Sequence, residues 1–362
     1  MRSLTSAIIL KVTYGYTVDS STPDPLVKLI EQWISNFSQA TVPFSFLVDI
    51  FPVLKHLPDW APGAGFKKIG RAWAKNNSAA GNIPYLFAKE RVESGSFTPS
   101  YVSTALQQNL VDDSRSEVSA SEYEEQIIWT AANLYAGGSD TTVSSVHSFL
   151  LAMVLNPEVQ RKAQDDIANV VGTDRLPCFE DRKSLPFIDA LVTEIHRWFP
   201  VGPMGLPHRA DEAVVYNSYQ IPKGAYILPA VWSVLHDPET YSNPHEFDPS
   251  RYLEPRAEPD PRIFSFGAGR RICPGRFFAD NTIFLTVAGI LAVCTIRKAV
   301  DSQGNEVEVA LQPTPGTVSK PTPFLYKIET RNPKLSELVR NLEVEQSSRG
   351  DIVGLMEKFG VS

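Results

Sequence analysis

The stretch F-S-F-G-A-G-R-R-I-C-P-G, residues 264–275, sets glycines at 267, 269 and 275 around Cys273, which Pro274 follows. Glycine permits tight turns and close backbone approach, and a proline after the cysteine can open a helix whose N-terminal dipole stabilises an adjacent thiolate. Cys273 therefore reads as an anion held at a helix start. A cysteine in a turn is also commonly a small buried hydrophobe, so its surroundings must decide.

Downstream of Cys273, the run RFFADNTIFLTVAGILAVCTI reads as an apolar helix, followed by short strands around residues 295–330. Upstream, residues 238–272 are rich in Pro, Gly and Arg and read as an irregular, well-packed meander. Two short strands are expected at 213–216 and 225–229, separated by a turn at Pro222-Lys223-Gly224. A helix at 187–198 ends before Pro200, and PEVQRKAQDDIANVV is amphipathic, with Asn156 as its N-cap and Pro157 at the first helical position. A long apolar helix spans about 122–155, behind the acidic, serine-rich linker VDDSRSEVSASEYEE. Residues 66–95 and 98–110 read as helices. The prolines of VPFSFLVDIFPVLKHLPDWAPGAGF interrupt the helical patterns of residues 1–60 and make a loop with greasy side chains. The tail from about Lys334 is polar and reads as loosely held. The fold class is mainly α with small β-sheets.

With 362 residues and 43% hydrophobic content the chain can bury a substantial core. Its net charge of −7 argues against nucleic acid and anionic membrane as partners, since both attract a basic field. The 3 cysteines, Cys178, Cys273 and Cys294, are too few and too odd in number for a disulfide framework and suit a reducing compartment. The apolar run at 7–10 is far shorter than the ~20 residues that cross a bilayer, and it lacks the features of a signal peptide. No anchor is visible.

Three further features stand out. Within the long helix, A-G-G-S-D-T-T at 136–142 holds two interior glycines, each costing roughly 1 kcal/mol against alanine. They make room either for a packed neighbouring element or for a ligand, and Asp140 beside Thr141 can relay protons. Glu194 and Arg197 lie three apart on one helix face, a spacing that by itself is usually a solvated surface pair. Pro249-Ser250-Arg251-Tyr252 adds an arginine and an aromatic residue. His196, His236 and His245 read as structural. No zinc spacing, phosphate loop or serine-nucleophile elbow occurs.

Taken in order, these features resemble the cytochrome P450 family over about residues 1–335. Residues 264–275 match its haem-binding loop, in which Phe, Gly, Arg, Cys and Gly are filled by Phe266, Gly269, Arg271, Cys273 and Gly275. The resemblance implies that Cys273 is the axial ligand of haem b, that Phe266 packs near it, and that Arg271 pairs with a haem propionate, as does His208. It assigns proton delivery to Asp140 and Thr141, and fold integrity to a buried triad of Glu194, Arg197 and Arg251, with Tyr252 standing where the family usually has Phe. It implies substrate contacts at Leu134, Ala136, 201–206 and 313–321. The segment at 48–68 looks like the loop over the substrate pocket in fungal, secondary-metabolism-like members.

The expected activity is that of a haem-thiolate monooxygenase inserting one oxygen atom from O2 into an apolar organic substrate. Electrons would come from NADPH through a separate flavoprotein reductase, because the chain has neither dinucleotide fingerprint nor flavin domain. A monomer is expected. The family's N-terminal section, with its membrane anchor, strand-rich lobe and haem-contacting helix, has no counterpart before Met1. The domain expected is thus a partial P450 domain at 1–335 and a polar tail at 336–362, located at the endoplasmic reticulum if full length and otherwise cytoplasmic. The alternative is a truncated, catalytically incompetent form with weak or no haem binding.

Overall fold

The computed structural model describes residues 2–18, 23–42, 44–111, 119–331, 333–340 and 349–360. Residues 112–118 of the serine-rich linker lie outside them. The chain divides into two compact units, residues 1–143 with 343–362, and residues 144–342.

The first unit is helical: α1 (Arg2–Tyr14), α2 (Pro25–Ala40), α3 (Leu47–Ile50), α4 (Gly65–Glu93), α5 (Tyr101–Val111) and the first two thirds of α6 (Ala120–Leu155). Helix α2 starts where its sequence dictates. The Asp24 carboxylate accepts from the Leu26 and Val27 amides at 2.9 and 3.3 Å, and Pro25 takes the first helical position, where an N–H would go unused. Its Leu26, Val27, Leu29 and Ile30 form one face against Leu10, Ile83, Phe87 and Tyr135. The proline- and aromatic-rich segment breaks into α3 and a 3-10 turn, Pro52–His56, with Phe44, Leu47, Phe51, Val53 and Trp60 exposed. The C-terminal segment differs from its expectation: helix Arg349–Lys358 packs on α4 and sinks Ile352, Leu355 and Met356 into the core. Those three positions share one helix face, which the overall polarity of the tail conceals.

The second unit takes the rest of α6, then α7 (Pro157–Val170), α8 (Pro186–Trp198), four short strands, α9 (Val231–Leu235), α10 (Arg262–Ser265), α11 (Arg276–Val293), a final pair of strands and α12 (Pro333–Arg340). Its core draws Phe149, Leu150 and Met153 from α6, Ala163 and Ile167 from α7, and Ile188, Leu191, Val192 and Ile195 from α8. Helix α11 supplies Ile283, Phe284, Val287, Ala288 and Leu291. Among the described residues α11 is the helix whose length and composition would suffice to cross a membrane; its apolar positions line this core. Asn156 precedes α7 as expected, but its side chain makes no cap. It donates instead to the Ala152 carbonyl, 2.9 Å away, closing the end of α6.

The strands pair differently from the sequence expectation. Val214–Tyr216 (β2) pairs with Tyr219–Ile221 (β3), whereas His208–Arg209 (β1) pairs with Tyr226–Ile227 (β4). The turn between β2 and β3 is Asn217-Ser218, both left-handed at φ 45° and 70°, the conformation that matches the twist of a two-residue hairpin. Pro222–Gly224 turns as expected, but it links β3 to β4. Cys294–Lys298 (β5) pairs antiparallel with Tyr326–Thr330 (β6). From α7, the Gln160 side-chain amide extends the edge of β5, donating to the Ile296 carbonyl at 2.8 Å and accepting from its N–H at 2.7 Å.

The approach to β1 depends on Gly205, whose φ is +60° and whose missing Cβ would lie 2.8 Å from Cγ and 3.0 Å from Cβ of Pro229. Gly205→Ala should therefore destabilise the chain by about 1–3 kcal/mol, from backbone strain and ring overlap. Gly202→Ala, three residues earlier and with nothing near its Cβ, should leave the thermal midpoint almost unchanged. Equal midpoints for the two variants would contradict this packing.

Candidate functional site

Helix α10 ends at Ser265 with Phe266 as its C-cap, and Gly267 and Gly269, at φ 76° and 63°, turn the chain through left-handed conformations that a side chain disfavours. A 3-10 turn at Gly269–Arg271 brings the chain back. The Cys273 N–H donates to the Phe266 carbonyl at 2.8 Å and pins the two ends of the loop together. Helix α11 begins at Arg276 with Gly275 as N-cap, so Pro274 stands ahead of the cap and does not open the helix as expected. Cys273 is a free, half-buried thiol two residues before that cap. A Cβ on Gly275 would lie 4.0 Å from its Sγ, and glycine keeps that flank of the sulfur clear. Arg271 is exposed and has no carboxylate partner among the described residues.

Helix α8 and the meander after it hold the most desolvated charge cluster among the described residues of the unit. Glu194, Arg197 and Arg251 are all 0% exposed. Arg197 grips Glu194 bidentately, Nε to Oε2 and Nη2 to Oε1, both at 2.8 Å. Arg251 Nε donates to Oε1 at 3.1 Å, the Asp248 N–H donates to Oε1 at 2.9 Å, and the Tyr252 hydroxyl donates to Oε2 at 2.9 Å. Most of the remaining guanidinium N–H groups hold main chain. Arg197 donates to the Leu235, Pro244 and Glu246 carbonyls at 3.0, 2.6 and 2.9 Å, and Arg251 to Ser242 and Glu246 at 2.9 and 3.2 Å. The triad is a bolt through the meander. Buried charges persist only when paired and fully hydrogen-bonded, and here both conditions hold.

Two members of this cluster escaped the sequence reading. Tyr252 stands in the sequence as an aromatic beside Arg251, and its hydroxyl closes the Glu194 carboxylate; burial, with Glu194 beside it, pushes its pKa far above the usual phenol range. Glu258 accepts from Arg251 at 2.7 Å, from Arg256 at 2.7 Å and from Ser242 at 2.7 Å. Burial raises its pKa, but those donors outweigh burial and hold it at about 2. No spacing rule announces either residue; only the folded meander brings them in.

The other expected site residues fall in separate places. His208 is exposed on β1 in the second unit. Asp140 and Thr141 lie in the first unit, within an unbroken stretch of α6, and the Thr141 hydroxyl donates to the Gly137 carbonyl at 2.6 Å. The two glycines there differ. A Cβ on Gly138 would lie 2.8 Å from Cδ1 of Ile9, so Gly138 admits helix α1, while Gly137 has nothing within 4 Å. Of the segments expected to touch substrate, two meet: the Ser319 N–H donates to the Val201 carbonyl at 2.7 Å.

A mainly helical chain that presents one cysteine from a glycine-lined turn at a helix start, braced by a buried Glu–Arg–Arg cluster, has the arrangement of the haem-thiolate proteins. The chain belongs to the cytochrome P450 family, whose model matches residues 1–327. It is 47% identical over 348 residues to the multifunctional cytochrome P450 monooxygenase af510 of Aspergillus fumigatus, covering 96% of this chain and 65% of that protein. It is 45% identical over 353 residues to the cytochrome P450 monooxygenase CLM2 of Gibberella zeae, covering 97% and 66%. It is 39% identical over 348 residues to an O-methylsterigmatocystin oxidoreductase of Aspergillus flavus, covering 95% and 64%. The chain thus spans slightly under two thirds of the length of these relatives. Family membership implies a haem with a cysteine ligand.

Replacing Glu194 by Gln leaves the buried Arg197 guanidinium without its counter-charge and Arg251 with Glu258 alone, which should cost about 3–5 kcal/mol. A loss below about 1 kcal/mol in a urea titration would place the pair in solvent, as an ordinary surface contact. For Glu258 the folded pKa lies below the unfolded carboxylate value. Its contribution is therefore present above the unfolded pKa, near 4.3, and is lost as pH falls toward about 2. The thermal midpoint of Glu258→Gln should be lower than that of the parent at pH 7, and the two should converge between about pH 4.3 and pH 2; a constant difference across that range would contradict the pairing.

Proposed function

We propose that the chain carries the haem-thiolate centre of a monooxygenase that inserts one O2 oxygen atom into an apolar organic substrate and reduces the other to water. The observation that carries this reading is the thiol of Cys273, held half-buried at the start of α11 by a backbone hydrogen bond to Phe266 and flanked by glycine. The donor set suits a haem: one soft sulfur for the iron, and in Arg271 and His208 two exposed groups able to bind carboxylate. Cys273 would hold the iron, Phe266, Gly269 and Gly275 would shape the loop around its sulfur, and Arg271 and His208 would bind the propionates of haem b. When bound, a thiolate-ligated haem supplies O2 binding and O–O cleavage, favoured by electron density from the sulfur.

The remaining chemistry falls to protein groups. The overall change, substrate plus O2 plus two electrons and two protons to hydroxylated substrate plus water, needs protons delivered in a desolvated site. The Asp140 carboxyl is one residue from Thr141, whose Oγ1–H now points to the Gly137 carbonyl at 2.6 Å; rotation of that hydroxyl off the carbonyl would let Oγ1 pass a proton from Asp140 toward oxygen. Gly137, with open space at its missing Cβ, leaves that helix flank clear for a small ligand. Within the second unit, residues 201–206 and the 313–321 segment would line the substrate, and Leu134 and Ala136 are the substrate-contact candidates of the first unit. A separate NADPH-dependent flavoprotein would supply the electrons.

The chain, expressed with haem supplied, reduced and exposed to CO, should show a red-shifted, thiolate-type Soret band that disappears in Cys273→Ala. Absence of haem uptake, or a band that persists in the variant, would overturn the assignment.

A further inference from the structure

Helix α8 carries the Glu194 cluster on one face. Two residues along, roughly 200° around the axis from Glu194, it carries His196. That side chain is 6% exposed, and its Nε2 is buried with no hydrogen-bond partner among the described residues. A buried polar atom left unpaired costs about 1–3 kcal/mol, so a leucine of similar bulk would make a more stable helix. Such a group in a well-packed unit calls for a reason.

The surroundings supply one. The imidazole lies against the ring of Phe266, centroids 5.0 Å apart and tilted by 59°. The His196 main-chain carbonyl accepts from the Ser265 hydroxyl at 3.2 Å. Helix α8 therefore grips both residues immediately before the glycine turn, one by side chain and one by backbone. The Phe266 carbonyl in turn accepts the Cys273 N–H. The imidazole also meets helix α11, where Nε2 is 3.9 Å from Oδ1 of Asp280. Asp280 is already anchored, Oδ1 accepting from Arg262 at 3.1 Å and Oδ2 from Arg182 at 2.6 Å. His196 is thus wedged between the last residue before the loop and the helix that follows it.

We propose that His196 is a positioning residue for Cys273, acting through Phe266 and Asp280 to fix the two ends of the thiolate loop relative to one another. The ring sets the height of the Phe266 carbonyl and through it the Cys273 backbone; the polar edge keeps the wedge oriented toward the Asp280 carboxylate, where an aliphatic side chain would have no preferred orientation. This inference rests on the reading of Cys273 as haem ligand.

The test compares the parent chain, His196→Leu and His196→Phe in two measurements: the thermal midpoint without haem, and the fraction of the reduced CO complex showing the thiolate-type Soret band. His196→Leu should keep or raise the midpoint, because an unpaired polar atom has gone, while the thiolate-type fraction falls severalfold. His196→Phe, which retains a ring against Phe266, should recover part of that fraction. A His196→Leu variant with an unchanged band overturns the inference, and so does one whose midpoint drops in step with the band, since that marks a merely structural residue. Failure of the parent itself to give the band overturns the reading of Cys273 and this inference with it, so the two failures are distinguishable.

Discussion

The Glu194 carboxylate, its two oxygens taken up by Arg197, Arg251, Tyr252 and the Asp248 amide, ties helix α8 to chain 54 to 58 residues downstream. That stretch has little regular structure: a five-residue helix, a 3-10 turn and a four-residue helix between residues 231 and 265. Irregular backbone has carbonyls that no ladder satisfies, and the two guanidinium groups satisfy several of them at once. Their charges in turn need a buried counter-charge, which Glu194 and Glu258 provide. Charge balance and carbonyl satisfaction are met by the same few side chains, so losing one unbalances both.

The consequence reaches the thiol. The meander leads through α10 directly into the glycine turn, and α8 supports that turn from its other face by His196 against Phe266. One helix thus anchors the segment before the loop and braces the loop itself. Helix α11, buried along Ile283, Phe284, Val287 and Leu291, fixes the other end. Cys273 sits at a junction of two rigid elements, the situation in which a ligand can be held to a fraction of an ångström.

Legibility in the sequence followed the range of the interaction. Local spacing announced the loop at 264–275, the Glu194–Arg197 pair and the helices, because helix periodicity, prolines and glycines act over a few residues. Strand pairing did not come through: the β2–β3 turn is Asn217-Ser218, without a glycine to mark it, and β1 is only two residues long. The C-terminal helix was hidden because Ile352, Leu355 and Met356, which share one face, stand in a short segment flanked by charged residues and holding two glycines. Within the site, residue identities were legible where the chemistry has a fixed spacing. The hydroxyl of Tyr252 and the side chain of His196 were not, since each acts on residues far away in the chain, and the carboxylate of Glu258 was not, since irregular backbone gives its nearby partners no fixed spacing. The glycine pair in α6 divides between the two readings that sequence left open: Gly138 admits Ile9, and Gly137 faces open space.

All of this converges on one sulfur atom. Iron-edge X-ray absorption on the chain loaded with haem reads the first coordination shell of the metal directly. The account predicts a single sulfur neighbour in addition to the ring nitrogens, lost when Cys273 is replaced by serine. A first shell of nitrogen and oxygen alone in the parent chain would contradict it.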